Sequence, residues 1–567
     1  MLLLGGLLLG TTSYQALLPA AAPAMAPPPP PAAPVAARLP APTAQQLTVA
    51  LQADATREGT RFLSVKAMRE FYHRRHDAPA WQGNGQAANA GQLLAVLRDT
   101  AAEGLTPADY HLRELETLSK APDNDFTPEK AVGRELLLTD AFLTVAAHYR
   151  YGHLNLQSVL PDWQPQRRDD DLGALLETAL THGTVRDSLQ QLLPSAPEYL
   201  TLKAAYHRYQ FMADQGGWPA IPNGSRMQQG DHGERVALLR QRLAASDDLA
   251  AEARTASDRF DASLQAAVQR FQARHGLKVD GVVDRETLAA LNVPATERLR
   301  QLATNLERWR WLPRDLGSRH IEVNIPGFSL TVMENQQPVL TMKVIAGRPD
   351  RPTPILNSVI THLVLNPTWE VPHDIATKDL LPKIRKNPAF LQRFGFRVLA
   401  GNGGDGQEVS PAQINWQKVT PATFHYHLSQ NPGPKNFLGQ VKFIFANAYS
   451  VYLHDTPSKN LFQKESRPFS SGCVRAEKPL ELAALLLHDT PLGSEPALDA
   501  ALADTTTRTV HLPRPIPIYL LYWTAWVDDQ GVAQFRPDLY GHDRLIEEGL
   551  RGRAIKKPLP CIGECGQ

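Results

Sequence analysis

The hydrophobic pattern of this chain changes period near residue 319, and that switch limits the folds open to it more than any other feature. Upstream, apolar residues recur at helical spacing. The stretch 91–104 puts Leu93, Leu94 and Leu97 on one helical face, and 135–151 carries Leu136, Leu137, Leu138, Ala141, Phe142, Val145 and Ala146 as a broad buried one. Downstream, 321–325 and 328–333 alternate as half-buried strands do, and 339–346 and 359–365 extend the sheet. Helices followed by strands, in a chain of 567 residues, predict a multidomain α+β protein with separate cores.

Composition narrows the partners. Fifty-nine basic residues meet 58 acidic ones for a formal charge of +1, which gives no electrostatic case for nucleic acid or another anionic partner. Neither a metal-like Cys/His spacing nor a Gly-rich phosphate loop is present, so no cofactor and no metal are expected. Residues 1–10 read MLLLGGLLLG, too short an apolar run for a spanning helix but suited to an export segment. We expect 1–26 to be an export signal or membrane anchor, with Ala24-Met25-Ala26 as a cleavage site and a start truncated of its usual positive charge. The Pro/Ala-rich stretch 27–44 reads as an extended linker.

The chemistry concentrates in 454–475, HDTPSKNLFQKESRPFSSGCVR. Cys473 is one of three cysteines in the chain, and His454 lies nineteen positions upstream at the end of the strand-like run 448–453. A thiol attacks carbonyls well only as thiolate, and an imidazole can take its proton. Gly472 allows a tight turn that can aim the Gly472 and Cys473 amides at an oxyanion. The plain alternative is a buried structural cysteine beside an unrelated histidine, so spacing and flanks decide.

His454-Asp455-Thr456 followed by Ser470-Ser471-Gly472-Cys473-Val474-Arg475 resembles the active-site pattern of L,D-transpeptidases of the YkuD type, His-x-Thr then Ser-His-Gly-Cys-x-Arg. Ser471 stands where many relatives carry a second histidine; Ser-Ser-Gly-Cys is common in the large multidomain, YcbB-like branch, and it leaves His454 as the local base. The resemblance implies a cysteine thioester mechanism on peptidoglycan stem peptides: Cys473 as nucleophile, His454 as general base and acid, and a backbone carbonyl rather than the Asp455 side chain as its orienting partner. Arg475, with Ser471, Asp455 and Tyr426, is a substrate-binding candidate, Arg475 meeting a carboxylate or bracing the loop. Tyr426, Trp416 and Phe437 either line the cleft or pack the lid.

By the same resemblance 45–216 is a helical scaffold domain, and 319–545 is a mostly-β catalytic domain. A capping insertion at about 373–440, helical and looped rather than alternating, interrupts it. Residues 229–292 spell three short helices with Gly276 and Gly281 at turns, similar to a small peptidoglycan-binding domain. A linking helix is expected at 299–312, with Arg310 and Trp311 against the catalytic domain, and 546–567 is a C-terminal tail in which Cys561 and Cys565 could pair. The partners implied are peptidoglycan stem peptides, a tetrapeptide donor and a diamino-acid acceptor, together with wall-synthesis enzymes; the place implied is the periplasm or cell envelope. Two other functions share these residues: an L,D-carboxypeptidase or wall-anchor hydrolase with water as acceptor, and a non-catalytic wall-binding scaffold, which the intact His454 and Cys473 count against.

Overall fold

The computed structural model describes residues 42–551, apart from 53–55, 58–59, 84, 121–126, 156–159, 161–162, 164–169 and 402–403. The expected export segment, nearly all of the Pro/Ala-rich linker, Cys561 and Cys565 lie outside the described residues. Among those described, no helix is long and apolar enough to cross a membrane.

The helical part is built around Pro128–Tyr151, whose start is set by Thr127 capping the Lys130 amide and by proline in the first turn. Every residue from Glu135 to Ala146 on it is buried, so it is the hub of this core rather than a one-faced helix. Thr106-Pro107 opens only a single 3-10 turn, Pro107–Tyr110. His111 (φ 57°) breaks it, turning its imidazole onto the buried Asp140 carboxylate at 2.7 Å, and Leu112–Lys120 follows.

Helices Glu234–Ala245, Ala262–Arg274 and Arg285–Leu291 close a small core of Leu239, Leu243, Phe260, Leu264, Val268, Phe271 and Leu291. Asp261 and Asp284 cap the second and third at 2.9 and 2.8 Å. Gly276 has φ 64°, and a Cβ there would meet Arg536 at 2.6 Å, so glycine lets this module dock on the C-terminal part of the chain. Arg536 completes the docking by donating to the Arg274 carbonyl at 2.9 Å.

The connecting helix runs Ala295–Arg310 and differs from the expected linker in being buried on its polar side as well as its apolar one. Asn305 and Gln301 bond Thr524, and Arg308 pairs with Asp543 at 2.6 Å. Arg310 pairs with Glu307 at 2.8 Å and also reaches the Glu103 carbonyl, so it faces the scaffold helices, not the sheet. Trp311 likewise meets Trp163 edge-on.

The C-terminal part is a nine-stranded sheet. Its strands are β1 (Arg319–Asn324), β2 (Ser329–Glu334), β3 (Gln337–Gly347), β4 (Leu356–Leu365), β5 (Val441–Phe445), β6 (Leu453–His454), β7 (Pro468–Ser470), β8 (Val474–Ala476) and β9 (Arg508–Leu521). Their order is β7-β3-β8-β6-β5-β4-β9-β1-β2, and β2 pairs back onto β3, so the eight strands from β3 to β2 close on themselves while β7 pairs only with β3. The pairs β6–β8, β7–β3 and β9–β1 are parallel. Prolines in β9 fall at or beside the register break between His511 and Ile516, where a missing N–H is tolerated.

Two expectations change here. The run 448–453 is not a strand: Asn447 accepts the Tyr449 and Val451 amides and folds it into a turn with Ser450 at φ 51°, leaving only Leu453–His454 in the sheet. The insertion is not only helix and loop, for Trp369–Glu370, Tyr426–Gln430 and Phe396–Ala400 form a three-stranded antiparallel sheet in that order. It packs with His373–Ile375, a π-turn Ala376–Leu380 and Leu381–Lys386 around its own core. The strands of this cap are too short and too polar on their outer faces for alternation to show.

Four imidazoles make the fold acid-sensitive, the buried His275, His454 and His542 and the half-buried His148, and burial holds His275 well below its ordinary value. His148, His454 and His542 are each held down to about 3 from an ordinary 6.5, chiefly by burial, with Arg310, Arg475 and Arg308 respectively among the nearby cations that also disfavour the imidazolium. The unfolded chain therefore binds more protons than the folded one between about pH 6.5 and 3, and stability is full above that window and lost as pH falls through it. At pH 5 the expected loss is about 2 kcal/mol per histidine. Thermal melts at pH 7, 6 and 5 should show Tm falling steadily; a flat Tm to pH 5 would contradict it.

Candidate active site

His454 ends β6, and Val474 opens β8 beside it. The parallel register pairs Leu453 with Val474 and His454 with Arg475, and the Val474 amide donates to the Tyr452 carbonyl at 3.1 Å. Leu453 and Val474 are fully buried in the core. By alternation Tyr452 and His454 on one strand, and Cys473 and Arg475 on the other, share the opposite face. The sheet thus sets the strand ends that carry the thiol and the imidazole side by side across nineteen positions of sequence.

The imidazole is buried, and its Nδ1–H donates to the backbone carbonyl of Asp455, which leaves Nε2 with the lone pair. The Asp455 carboxylate is engaged elsewhere, taking the Gln440 amide at 2.9 Å and Lys459 at 2.6 Å. Close approach of this carboxylate is what Gly439 permits: a Cβ there would lie 2.2 Å from it, and φ is 66°.

Cys473 is half-exposed and is not in a disulfide. The turn before it has Gly472 at φ 112°, a conformation other residues rarely adopt. The Gly472 amide points at Ser470 Oγ (3.2 Å), and Ser470 Oγ donates to the Cys473 carbonyl. In this arrangement the Gly472 N–H is already satisfied, so it could serve an oxyanion only if Ser470 released it. Thr353, fully buried, clamps the turn from the loop after β3: its hydroxyl donates to the Gly472 carbonyl and accepts the Gly347 amide, both at 2.8 Å. Thr353→Val keeps the shape and orphans both backbone groups, so a loss of about 2–4 kcal/mol is expected. A urea midpoint unchanged from wild type would refute it.

The cap meets this site directly. Arg351 donates to Ser471 Oγ at 3.1 Å and to Asp379 of the π-turn at 2.5 Å, tying the nucleophile turn to the cap. Tyr452 packs both on the barrel core and on the cap core. Tyr426 sits in the cap's aromatic cluster with Trp416 and Phe424, at ring separations of 5.8 and 5.9 Å. Trp416 and Phe437 pack in that cluster too, so all three are lid packing in this conformation. Among the described residues no cluster of three His, Cys, Asp or Glu side chains is placed to hold a metal ion.

Residues 318–493 match the family model described as the L,D-transpeptidase catalytic domain. This chain carries an L,D-transpeptidase catalytic domain. Residues 66–205 match a scaffold domain and 232–291 a "Putative peptidoglycan binding domain". A "Putative L,D-transpeptidase" of Haemophilus influenzae is 35% identical over 246 residues, 43% of this chain and 48% of that protein. The match thus spans about half the length of the curated relative. Among solved structures, an L,D-transpeptidase from Xylanimonas cellulosilytica (18% identity, 53% of this chain, 99% of that one, TM-score 0.14) and one from Stackebrandtia nassauensis (14%, 53%, 96%, 0.21) are similar. Superposition scores that low carry no weight beside the residue geometry.

Several residues that shape this candidate site were given no site role in the sequence: Thr353, Arg351, Asp379, Tyr452 and Lys442. Lys442 had a readable signal. In 441–445, Val441, Phe443 and Phe445 point to the core, so the lysine between them must face the side on which His454 lies.

Proposed function

We propose that the protein is a cysteine acyltransferase of the cell wall, an L,D-transpeptidase that joins the diamino acids of two peptidoglycan stems. Cys473 Sγ attacks the carbonyl of the donor's diamino acid as His454 Nε2 takes the thiol proton. Collapse of the tetrahedral intermediate breaks the bond to the terminal D-alanine, which leaves as an amine carrying that proton, and a thioester remains. The side-chain amine of a second stem attacks the thioester, forms the new amide, and returns a proton to sulfur through His454. Arg475 stands beside His454 in register, where a guanidinium can receive a stem carboxylate.

The observation that carries this reading is the pairing of a tautomer-fixed, neutral imidazole with a half-exposed thiol on one face of adjoining strand ends. The cap favours transfer over hydrolysis, because a covered thioester is shielded from water until an acceptor enters. The scaffold and the small three-helix module would present the wall polymer, which sets the working place in the cell envelope, with the periplasm and an anchor in 1–26 as the finer form.

The test is purified tetrapeptide muropeptides with mass spectrometry, wild type against Cys473→Ala. Dimers linked through two diamino acids, with D-alanine lost, are expected from wild type and not from the variant. Tripeptide monomers alone would replace this reading with a carboxypeptidase, and wall binding without any turnover would replace it with a scaffold.

A further inference from the structure

The barrel face that carries the thiol also carries two cations without carboxylate partners. Lys442 on β5 is the direct cross-strand partner of His454 on β6, and its ammonium lies 3.7 Å from the centre of the Tyr452 ring. On the far side, Arg475 is the register partner of His454 on β8. Neither forms an ion pair or a side-chain hydrogen bond with any described residue, and the Arg475 Nε is buried without a partner. The nearby carboxylates are committed elsewhere, Asp455 to Lys459 and Asp379 to Arg351. The remaining titratable groups facing Lys442 are His362 on β4, which is packed against His511 of β9, and Tyr452, His454 and Cys473. None of these is a carboxylate.

A half-buried lysine on an otherwise apolar strand, stripped of water and given no counter-ion, is costly unless an anion comes to it. The sulfur of Cys473 is the group that can become one: its charge is what raises the proton affinity of both Lys442 and Arg475 against their burial. There is also a chemical need for such a field. Burial and these same cations weaken His454 as a base, so proton transfer from the thiol stays matched only if the thiol becomes a stronger acid.

We propose that Lys442 is a positioning residue for the nucleophile, bracketing Cys473 together with Arg475 so that negative charge on sulfur is stabilised as its proton leaves. The ring of Tyr452 carries the ammonium in place, since a cation over an aromatic face is held without being neutralised. Lys442 thereby supplies to the thiol what a helix N-terminus or an imidazolium supplies in other reactive cysteines.

This inference rests on Cys473 being the nucleophile, and its test needs no stem peptide. The rate of iodoacetamide alkylation at Cys473, followed by mass spectrometry of its own peptide so that Cys561 and Cys565 do not enter the reading, is measured against pH on the full chain. Lys442→Met is expected to move the midpoint up by about one unit, which is about a tenfold slower reaction near neutral pH. Lys442→Arg should restore most of the wild-type profile. A merely structural lysine would lower Tm and leave the midpoint in place, and that result in Lys442→Met overturns the proposal. If Lys442→Met does not fold, Lys442→Gln reads the same midpoint with a polar tip and decides in the same way. A shifted midpoint with no muropeptide turnover would sink the acyl-transfer reading alone, whereas turnover with an unmoved midpoint would sink only the role of Lys442.

Discussion

Replacing His454 with glutamine is expected to slow formation of the thioester by about 10²–10⁴-fold, the usual worth of a positioned general base. Glutamine keeps a donor that can reach the Asp455 carbonyl, so the strand end need not unravel, but it has no basic nitrogen for the thiol proton. Intact-mass detection of the acyl-enzyme at Cys473, sampled over time with a tetrapeptide donor, measures the loss. The pH profile separates this from a folding defect. Because the wild-type imidazole is held at about 3, it does not protonate between pH 7 and 5, and acylation should not fall there on its account. In His454→Gln the reaction depends on pre-formed thiolate alone, so its rate should climb with pH as the thiol ionises. A variant within a few-fold of wild type would remove His454 from the chemistry.

The sequence and the structure agree most closely where a pattern reports one physical requirement. Cys473 and His454 stood out as candidates because the residue types and their flanks belong to one chemical task, and the parallel register sets the two strand ends that carry them side by side. The switch from helical period to alternation located the barrel for the same reason: a closed sheet buries one face of every strand, and 321–325 and 441–445 must show it. The closure of β2 onto β3 was not legible, since nothing local distinguishes a strand that ends a sheet from one that completes a barrel.

What escaped reading was set by contacts between distant segments. Thr353 looks like an ordinary loop threonine until the nucleophile turn is folded onto it. The Gly472 amide looks free until Ser470 is seen to claim it. The 448–453 run has strand-forming residues, but the Asn447 side-chain oxygen overrides them by accepting two backbone amides. The cap's small sheet hid because Tyr426–Gln430 is only five residues long and polar at most positions, and its partners come from both sides of it in sequence.

The connecting helix gives the second large effect. Glu307 is fully buried, and its carboxylate takes the Leu154 amide at 3.0 Å, the Trp311 indole at 3.1 Å and the Arg310 guanidinium at 2.8 Å. Glu307→Ala removes all three hydrogen bonds at once and leaves the buried Arg310 guanidinium without its ion-pair partner, though it still reaches the Glu103 carbonyl. Breaking one side of such a pair costs about 3–5 kcal/mol, more than the pair itself is worth. The expected result in calorimetry is a separate, lower transition for the helical part, together with new proteolytic cutting near Leu154. Glu307→Gln keeps acceptors for the amide and the indole and should lose less. Since Asn305 and Gln301 on the same helix bond Thr524, just beyond β9, the barrel keeps its own attachment to this helix. Cys473 alkylation should therefore stay near wild type in Glu307→Ala. A fall in that rate equal to the loss of the scaffold transition would mean that the helix positions the site as well as joining the domains.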